Sequence, residues 1–234
     1  MFVKVCGITT EEDALLAIGM GADALGFNFV PGSSRQIRPA VARDIVRRLP
    51  GGVLTVGIFR DELKETVVQT VHDAGLQAAQ LHGREFSEDS SWVAERVPYL
   101  IKVFVAGDPA IDELDRYSAS AVLVDAPEPG SGEVFDWSLL DGRERGRPLI
   151  LAGGLNPENV AQAVSVVKPW GVDVASGVEA SPGVKDPVKV REFVMNARDA
   201  GNLLEPNDDD FDPDAPRPYA VSYTHLTLPT SDLV

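Results

Sequence analysis

Cysteine is almost absent from this 234-residue chain: Cys6 is the single thiol. One thiol excludes an intramolecular disulfide framework and a multi-cysteine zinc site. Histidine is scarce as well, three residues with no HxxxH or HxH pair, which speaks against a His-rich metal centre. No apolar run approaches the roughly 18 residues that a membrane helix needs. The opening MFVKVCGITT holds one Lys and then turns polar, without the apolar stretch or cleavage site of a secretory signal. The expected compartment is therefore the cytoplasm. Bases are outnumbered by acids 21 to 36, for a net charge of −15. That balance repels phosphate backbones and disfavours general nucleic-acid binding. Arg outnumbers Lys 15 to 6, which fits either a salt-adapted surface or a GC-rich genome.

What the chain does have is an ordinary globular composition, 44% hydrophobic and 24% charged. Its length allows one domain or two small ones. Short apolar runs lie at 2–6, 23–29, 53–59, 77–82, 99–105, 120–125, 148–152 and 171–176. Most are near-continuous or small-residue segments, as buried parallel strands are. Helical patterns separate them. The first covers about 11–20, with Thr9 and Glu12 at capping-box spacing. The second starts at Pro39, a favoured first helical position. Others read at 61–74, 87–97, 110–117, 137–144, 157–167 and 187–200. A helix–Gly–strand echo places Gly21, Gly75 and Gly171 where a left-handed helix cap is expected. Eight strands alternating with helices predict a single-domain (β/α)8 TIM barrel over residues 1–202. The rival, an open doubly wound sheet, has fewer strands and usually a Gly-rich first turn, whereas CGIT here has one Gly. From 203 to 234 the pattern stops. EPNDDDFDPDAPRP is acidic and proline-rich, which predicts a disordered tail, and YAVSYTHLTLPTSDLV reads as translated vector or adapter sequence.

In a barrel, chemistry sits at the C-terminal ends of the strands. Cys6 ends the first strand and is either a small buried hydrophobe or a base. Lys4, two residues back on the same face, is placed to stabilise a thiolate near its ordinary pKa. Asp125 ends the apolar run AVLVD. It is either a helix N-cap or a semi-buried acid, and the Pro- and Gly-containing loop after it favours the acid. The turns at Gly153-Gly154 and Ser176-Gly177 follow strands seven and eight, where barrels build phosphate sites; ordinary turn chemistry is the alternative. Arg35, in the loop PGSSRQIRP, is either solvated or a clamp for a substrate carboxylate. Arg38 beside it reads as solvated. His82 either lines the pocket or satisfies a backbone group, and the loop 126–136 reads as a mobile lid.

KVCGIT at 4–9, GADALGFNF at 21–29, SSRQI at 33–37, QLHG at 80–83, GSGEVFDW at 130–137, LAGGLNPENV at 151–160 and SGVEASPGVKD at 176–186 resemble phosphoribosylanthranilate isomerase of tryptophan biosynthesis. The resemblance spans residues 2 to about 200, and the tail lies outside it. It implies a single-domain barrel without metal or organic cofactor. The implied reaction is an Amadori rearrangement of N-(5-phosphoribosyl)anthranilate to the 1-amino-1-deoxyribulose 5-phosphate. By motif, Cys6 becomes the base at C2′ and Asp125 the acid at the furanose oxygen. Arg35 becomes the holder of the anthranilate carboxylate, and Gly153, Gly154, Ser176 and Gly177 the phosphate site. Lys4 and His82 complete the expected substrate-binding set. Pro129 and Glu133 depart from the family pattern in the lid. The expected partner is a small phosphosugar, without nucleic acid or membrane, and the chain a monomer or homodimer. Two alternatives remain at this level: a bifunctional isomerase that also serves histidine biosynthesis, and a phosphosugar-binding barrel without catalysis. The histidine-pathway relative uses an aspartate as its first-strand base and needs two phosphate sites. Cys6 and a single phosphate site disfavour it; Cys6 and Asp125 together disfavour the non-catalytic barrel.

Overall fold

The structure, a computed structural model, describes residues 1–127, 134–140 and 146–204. Eight parallel strands close into a barrel in sequential order. They are β1 (Phe2–Cys6), β2 (Ala24–Asn28), β3 (Leu54–Phe59), β4 (Ala78–Leu81), β5 (Tyr99–Val105), β6 (Ala121–Asp125), β7 (Leu149–Leu151) and β8 (Gly171–Val174). The seam pairs Phe2 with Gly171 and Lys4 with Asp173. Among the described residues six α-helices surround it: α1 (Glu11–Gly19), α2 (Pro39–Val46), α3 (Lys64–Ala74), α4 (Ser87–Ala94), α5 (Val160–Val167) and α6 (Pro187–Asn202). A small hairpin, β9 (Glu179–Ser181) with β10 (Val184–Lys185), follows β8 and was not foreseen from the sequence. Among the described residues no helix is long and apolar enough to cross a membrane.

Strand parity divides the core in two. Successive side chains point to opposite faces. Phe2, Ala24, Leu54, Val56, Ala78, Ile101, Val103, Ala121, Leu123, Ile150 and Ala152 fill the barrel interior. Residues of the other parity, such as Val3, Val5, Leu25, Val122, Val124, Val172 and Val174, pack in the larger cluster beneath the helices. The parity that sends Phe2 inward also sends Lys4 and Cys6 inward, and β6 does the same with Leu123 and Asp125.

Local sequence explains the helix ends and corrects several expectations. Thr10, not Thr9, caps α1: its Oγ1 accepts from Asp13 N at 3.1 Å, because the Thr9 hydroxyl donates instead to Gly183 O at 2.7 Å. Pro39 does open α2, and Asp186 caps α6 by accepting from Val188 N at 2.9 Å and Lys189 N at 3.1 Å. Gly21 and Gly75 have positive φ, as expected, but Gly171 does not. Lys168 takes the left-handed position at the end of α5 (φ 48°), since Pro169 disfavours a further helical residue there. Gly171 is required for space: a Cβ would come 2.9 Å from the Phe2 ring. The segment expected as a helix after β5 is a 3-10 turn, Pro109–Arg116, and of that expected over 137–144 the described part, Trp137–Leu140, is a 3-10 turn while 141–144 lie outside the described residues. The first is interrupted at Glu113 (φ −107°, ψ 21°). The proposed lid centre at 128–133, with Pro129 and Glu133, and the tail from 205 onward lie outside the described residues.

The interior plug makes a direct prediction. Leu123 is fully buried in it. Leu123→Ala should destabilise by about 2–4 kcal/mol, read as a fall on the order of 10 °C in thermal midpoint by calorimetry.

Candidate active site

Above the plug, the inward-facing residues turn polar and open into a cavity of about 400 Å³ at the C-terminal mouth. Cys6, Asn28, Arg35, Gln80, His82, Asp125 and Asp173 line it. Cys6, Arg35, His82 and Asp125, distant in sequence, are thus brought together. Lys4 is not on the wall. It lies beneath, fully buried, with Nζ donating to Asp173 Oδ1 at 2.9 Å. Lys4, expected among the substrate-binding residues, thus stands one layer below the cavity, next to groups that line it.

Cys6 is held by the turn that follows it. Gly7 has φ 78°, and the N–H groups of Gly7 and Ile8 both donate to Gly26 O, at 3.0 and 2.9 Å. Gly26 also makes room for the sulfur, since a Cβ there would come 2.7 Å from Cys6 Sγ. Burial pushes the Cys6 thiol above its ordinary pKa; Lys4 and Lys185 oppose the shift and Asp173 adds to it. Lys4 thus acts in the anticipated direction, but the net shift is upward, because burial outweighs the ammonium groups. Burial pulls the Lys4 ammonium down, and Asp173 and Cys6 together more than reverse this, leaving it above its ordinary value.

Across the cavity, Asp125 Oδ1 accepts from Ala126 N at 2.8 Å. Its Oδ2 lies 3.2 Å from His82 Nε2. That contact is not a hydrogen bond, and Nε2 is buried without a hydrogen-bond partner, as is Gln80 Oε1. Such groups are destabilised by about 1–3 kcal/mol each until something completes them. His82 therefore faces the cavity rather than satisfying a backbone group.

Arg35 is already engaged. Its Nε and Nη2 donate to Glu179 Oε1 and Oε2, each at 2.8 Å. Lys185 Nζ donates to Glu179 Oε1 at 3.0 Å and to Ala175 O at 3.1 Å. Burial would raise the Glu179 carboxyl, but Arg35 and Lys185 hold it below the usual carboxylate range. Burial pulls the Lys185 ammonium down, and Glu179 opposes that. Arg38 is exposed, as expected.

The two glycine turns abut each other beside β7 and β8. Gly153 and Gly154 have positive φ, 87° and 65°. No described acceptor takes either N–H. A Cβ on Gly177 would run into the Leu155 carbonyl oxygen and come 2.9 Å from Asn156 Cβ. Asn159 Nδ2 donates to Gly154 O at 2.9 Å and fixes the first turn. Ser176 and Gly177 open a 3-10 turn, whose first N–H groups lack intrahelical partners.

Asn28 ends the second strand and so stood at a position where chemistry is expected, but sequence reasoning did not single out Gln80, Asp173, Glu179 or Lys185. Asp173 carries the same signal as Asp125, a carboxylate in an apolar strand, GVDV. Glu179 and Lys185 flank the SPG turn and give no sign in the sequence that both are buried.

The thiol's surroundings predict its titration. The pH profile of Cys6 alkylation by iodoacetamide should inflect above that of free cysteine, and Lys4→Met should move it further upward by removing an opposing positive charge. An inflection below that of free cysteine is the contrary result.

Comparisons with known proteins agree with this architecture. Residues 3–196 match the family model described as N-(5'phosphoribosyl)anthranilate (PRA) isomerase. The N-(5'-phosphoribosyl)anthranilate isomerase of Desulforudis audaxviator is 49% identical over 205 residues, covering 85% of this chain and 98% of the relative. The crystal structure of the phosphoribosyl anthranilate isomerase from Thermus thermophilus superposes with a TM-score of 0.78 at 44% identity, covering 85% of this chain and 99% of that one. A phosphoribosyl anthranilate isomerase in complex with reduced 1-(o-carboxyphenylamino)-1-deoxyribulose 5-phosphate gives 0.76 at 43%, with coverage of 85% and 99%. With the barrel complete and the match running along nearly all of it, the chain belongs to the N-(5'-phosphoribosyl)anthranilate isomerase family.

Proposed function

We propose that this isomerase of tryptophan biosynthesis carries out its Amadori rearrangement with Cys6 as base and Asp125 as acid. The observation that carries the assignment is the placement of the Cys6 thiol and the Asp125 carboxylate on separate strands facing the same 400 Å³ cavity, while the other carboxylate on its wall, Asp173, is engaged by Lys4. Asp125, protonated, gives its proton to the furanose oxygen as the C1′–O bond breaks and the anthranilate nitrogen becomes an iminium. That positive charge acidifies C2′–H. The Cys6 thiolate takes the C2′ proton, leaving an enolamine, and a proton returned to C1′ with loss of the enol proton completes the ketone. No oxidant or reductant is needed. The raised thiol pKa means that little thiolate stands in the open site, while Lys4 and Lys185 favour what forms. His82 Nε2 and Gln80 Oε1 await partners, which the ribose hydroxyls would supply.

In the same reading Arg35 holds the anthranilate carboxylate, and the turns at Gly153-Gly154 and Ser176-Gly177 hold the phosphate through backbone N–H groups. The donors of Gly153 and Gly154, free in the described structure, support the phosphate assignment. The barrel unit is residues 1–202, with 203–234 a separate tail, and the chain works in the cytoplasm without cofactor.

Two measurements test this. Cys6→Ser and Asp125→Asn should each lower kcat by on the order of 10²–10⁴ with little change in KM or thermal midpoint; near wild-type kcat in Cys6→Ser would remove the thiolate from the mechanism. Gly177→Val should raise KM by roughly 10-fold or more, because no side chain fits against Leu155 without moving the phosphate turn. An unchanged KM would place the phosphate elsewhere. Running the histidine-pathway aminoaldose in parallel separates this reading from the bifunctional one.

A further inference from the structure

A planar guanidinium has two edges that fit a carboxylate. Glu179 occupies the edge formed by Nε and Nη2 of Arg35, at 2.8 Å on both oxygens. The second edge, Nη1 with the outward hydrogen of Nη2, keeps the same bidentate geometry. Arg35 lines the cavity with its side chain 16% exposed, while those of Glu179 and Lys185 are 5% and 0% exposed.

Glu179 cannot follow the arginine if it moves. Lys185 Nζ holds its carboxylate at 3.0 Å, and Lys189 Nζ donates to its backbone carbonyl at 3.0 Å. The hairpin carrying it is tied to the start of α1 through Lys185 N to Asp13 Oδ2 at 3.3 Å and Thr9 Oγ1 to Gly183 O at 2.7 Å. On the other side, the Arg35 stem lies across Gly7, where a Cβ would come 2.5 Å from Cδ. The plane of the guanidinium is therefore set before any ligand arrives. The charges matter as well. Arg35 paired with Glu179 alone is neutral; Lys185 makes the trio net positive, so a carboxylate at the second edge meets an attraction.

We propose that Glu179, backed by Lys185, is a positioning residue that fixes the plane of Arg35 and presents its second edge to the ring carboxylate, which sets selectivity for ortho-carboxylated over uncarboxylated arylamine phosphosugars. This rests on the assignment of Arg35 as the carboxylate holder. Pre-organisation of this kind raises affinity by removing the ordering of a long side chain from the binding step.

The test compares two ligands by calorimetric titration: reduced 1-(o-carboxyphenylamino)-1-deoxyribulose 5-phosphate and the same compound without the ring carboxyl. The quantity read is the ratio of their Kd values. The wild type should favour the carboxylated ligand by about 100-fold, and Arg35→Ala should bring the ratio near unity. Glu179→Gln should lower the ratio by roughly 10-fold while changing Kd for the uncarboxylated ligand less than about 3-fold. A merely structural role would weaken both ligands equally and leave the ratio intact. Arg35→Lys, a change in a loop that leaves the barrel core untouched, retains charge without a planar edge; its ratio should fall to within about 3-fold of that of Arg35→Ala. A wild-type ratio in Glu179→Gln, or in Arg35→Lys, overturns the positioning role while leaving Arg35 as the holder. A wild-type ratio in Arg35→Ala overturns the holder itself.

Discussion

The ion pair between Lys4 and Asp173 sits where the barrel closes. The two residues are register partners across the β1–β8 seam, and Lys4 has no exposure to solvent. Removing one partner of such a pair leaves a bare buried charge, a loss of about 3–5 kcal/mol. A hydrophobic pair of similar size would stabilise the seam as well or better. Its retention makes sense in terms of what lies one layer above. Strand parity stacks Cys6 directly over Lys4, so the same pair that seals the barrel supplies the cation nearest the thiol. Closure of the fold and the electrostatics of the mouth are one arrangement.

That arrangement also resolves an apparent conflict of charge. The chain carries −15 overall, yet its family acts on an anionic phosphosugar. Net charge alone would repel such an anion, so attraction must come from how charges are placed at the mouth. Three of the cations at or below the mouth are buried or nearly so and paired, Lys4 with Asp173, and Lys185 and Arg35 with the one carboxylate of Glu179, while Arg60 on the rim is exposed. Pairs of this kind have short reach in salt and act through direction rather than net field. Backbone N–H groups at the glycine turns follow the same rule, as dipoles fixed in place by the turns themselves.

Much of this was legible in the sequence, and what was not has a physical reason. Eight apolar runs with helical spacers dictated the barrel, since strands buried on both faces leave no polar alternation to misread. Cys6 and Asp125 stood out because each ends such a run. Arg35 was visible as a loop arginine, but its partner Glu179 lies 144 residues away. Long-range pairing of that sort leaves no mark in local pattern. The segment expected as a helix after β5 starts at a capping residue, Asp108, and is broken at Glu113 by backbone geometry that propensity does not encode. Gly171 was misassigned because a glycine needed for close approach and one needed for positive φ look identical in one letter.

The close fit of Cys6 against Gly26 has a consequence for how such a sequence can change. The sulfur occupies the volume that a β-carbon on the neighbouring strand would claim, 2.7 Å away. Position 26, in direct register with 6 on the adjacent strand, is therefore not free to drift while the thiol is kept. A larger residue at 26 evicts the thiol before it affects the helices outside. Replacing the sulfur with a smaller group would not by itself open position 26, because a Cβ there would still come 3.0 Å from Ile58 Cδ1 and 3.1 Å from the Cα of residue 6. The constraint runs one way: the thiol depends on the glycine, whereas the glycine is held by Ile58 and the first strand's backbone as well.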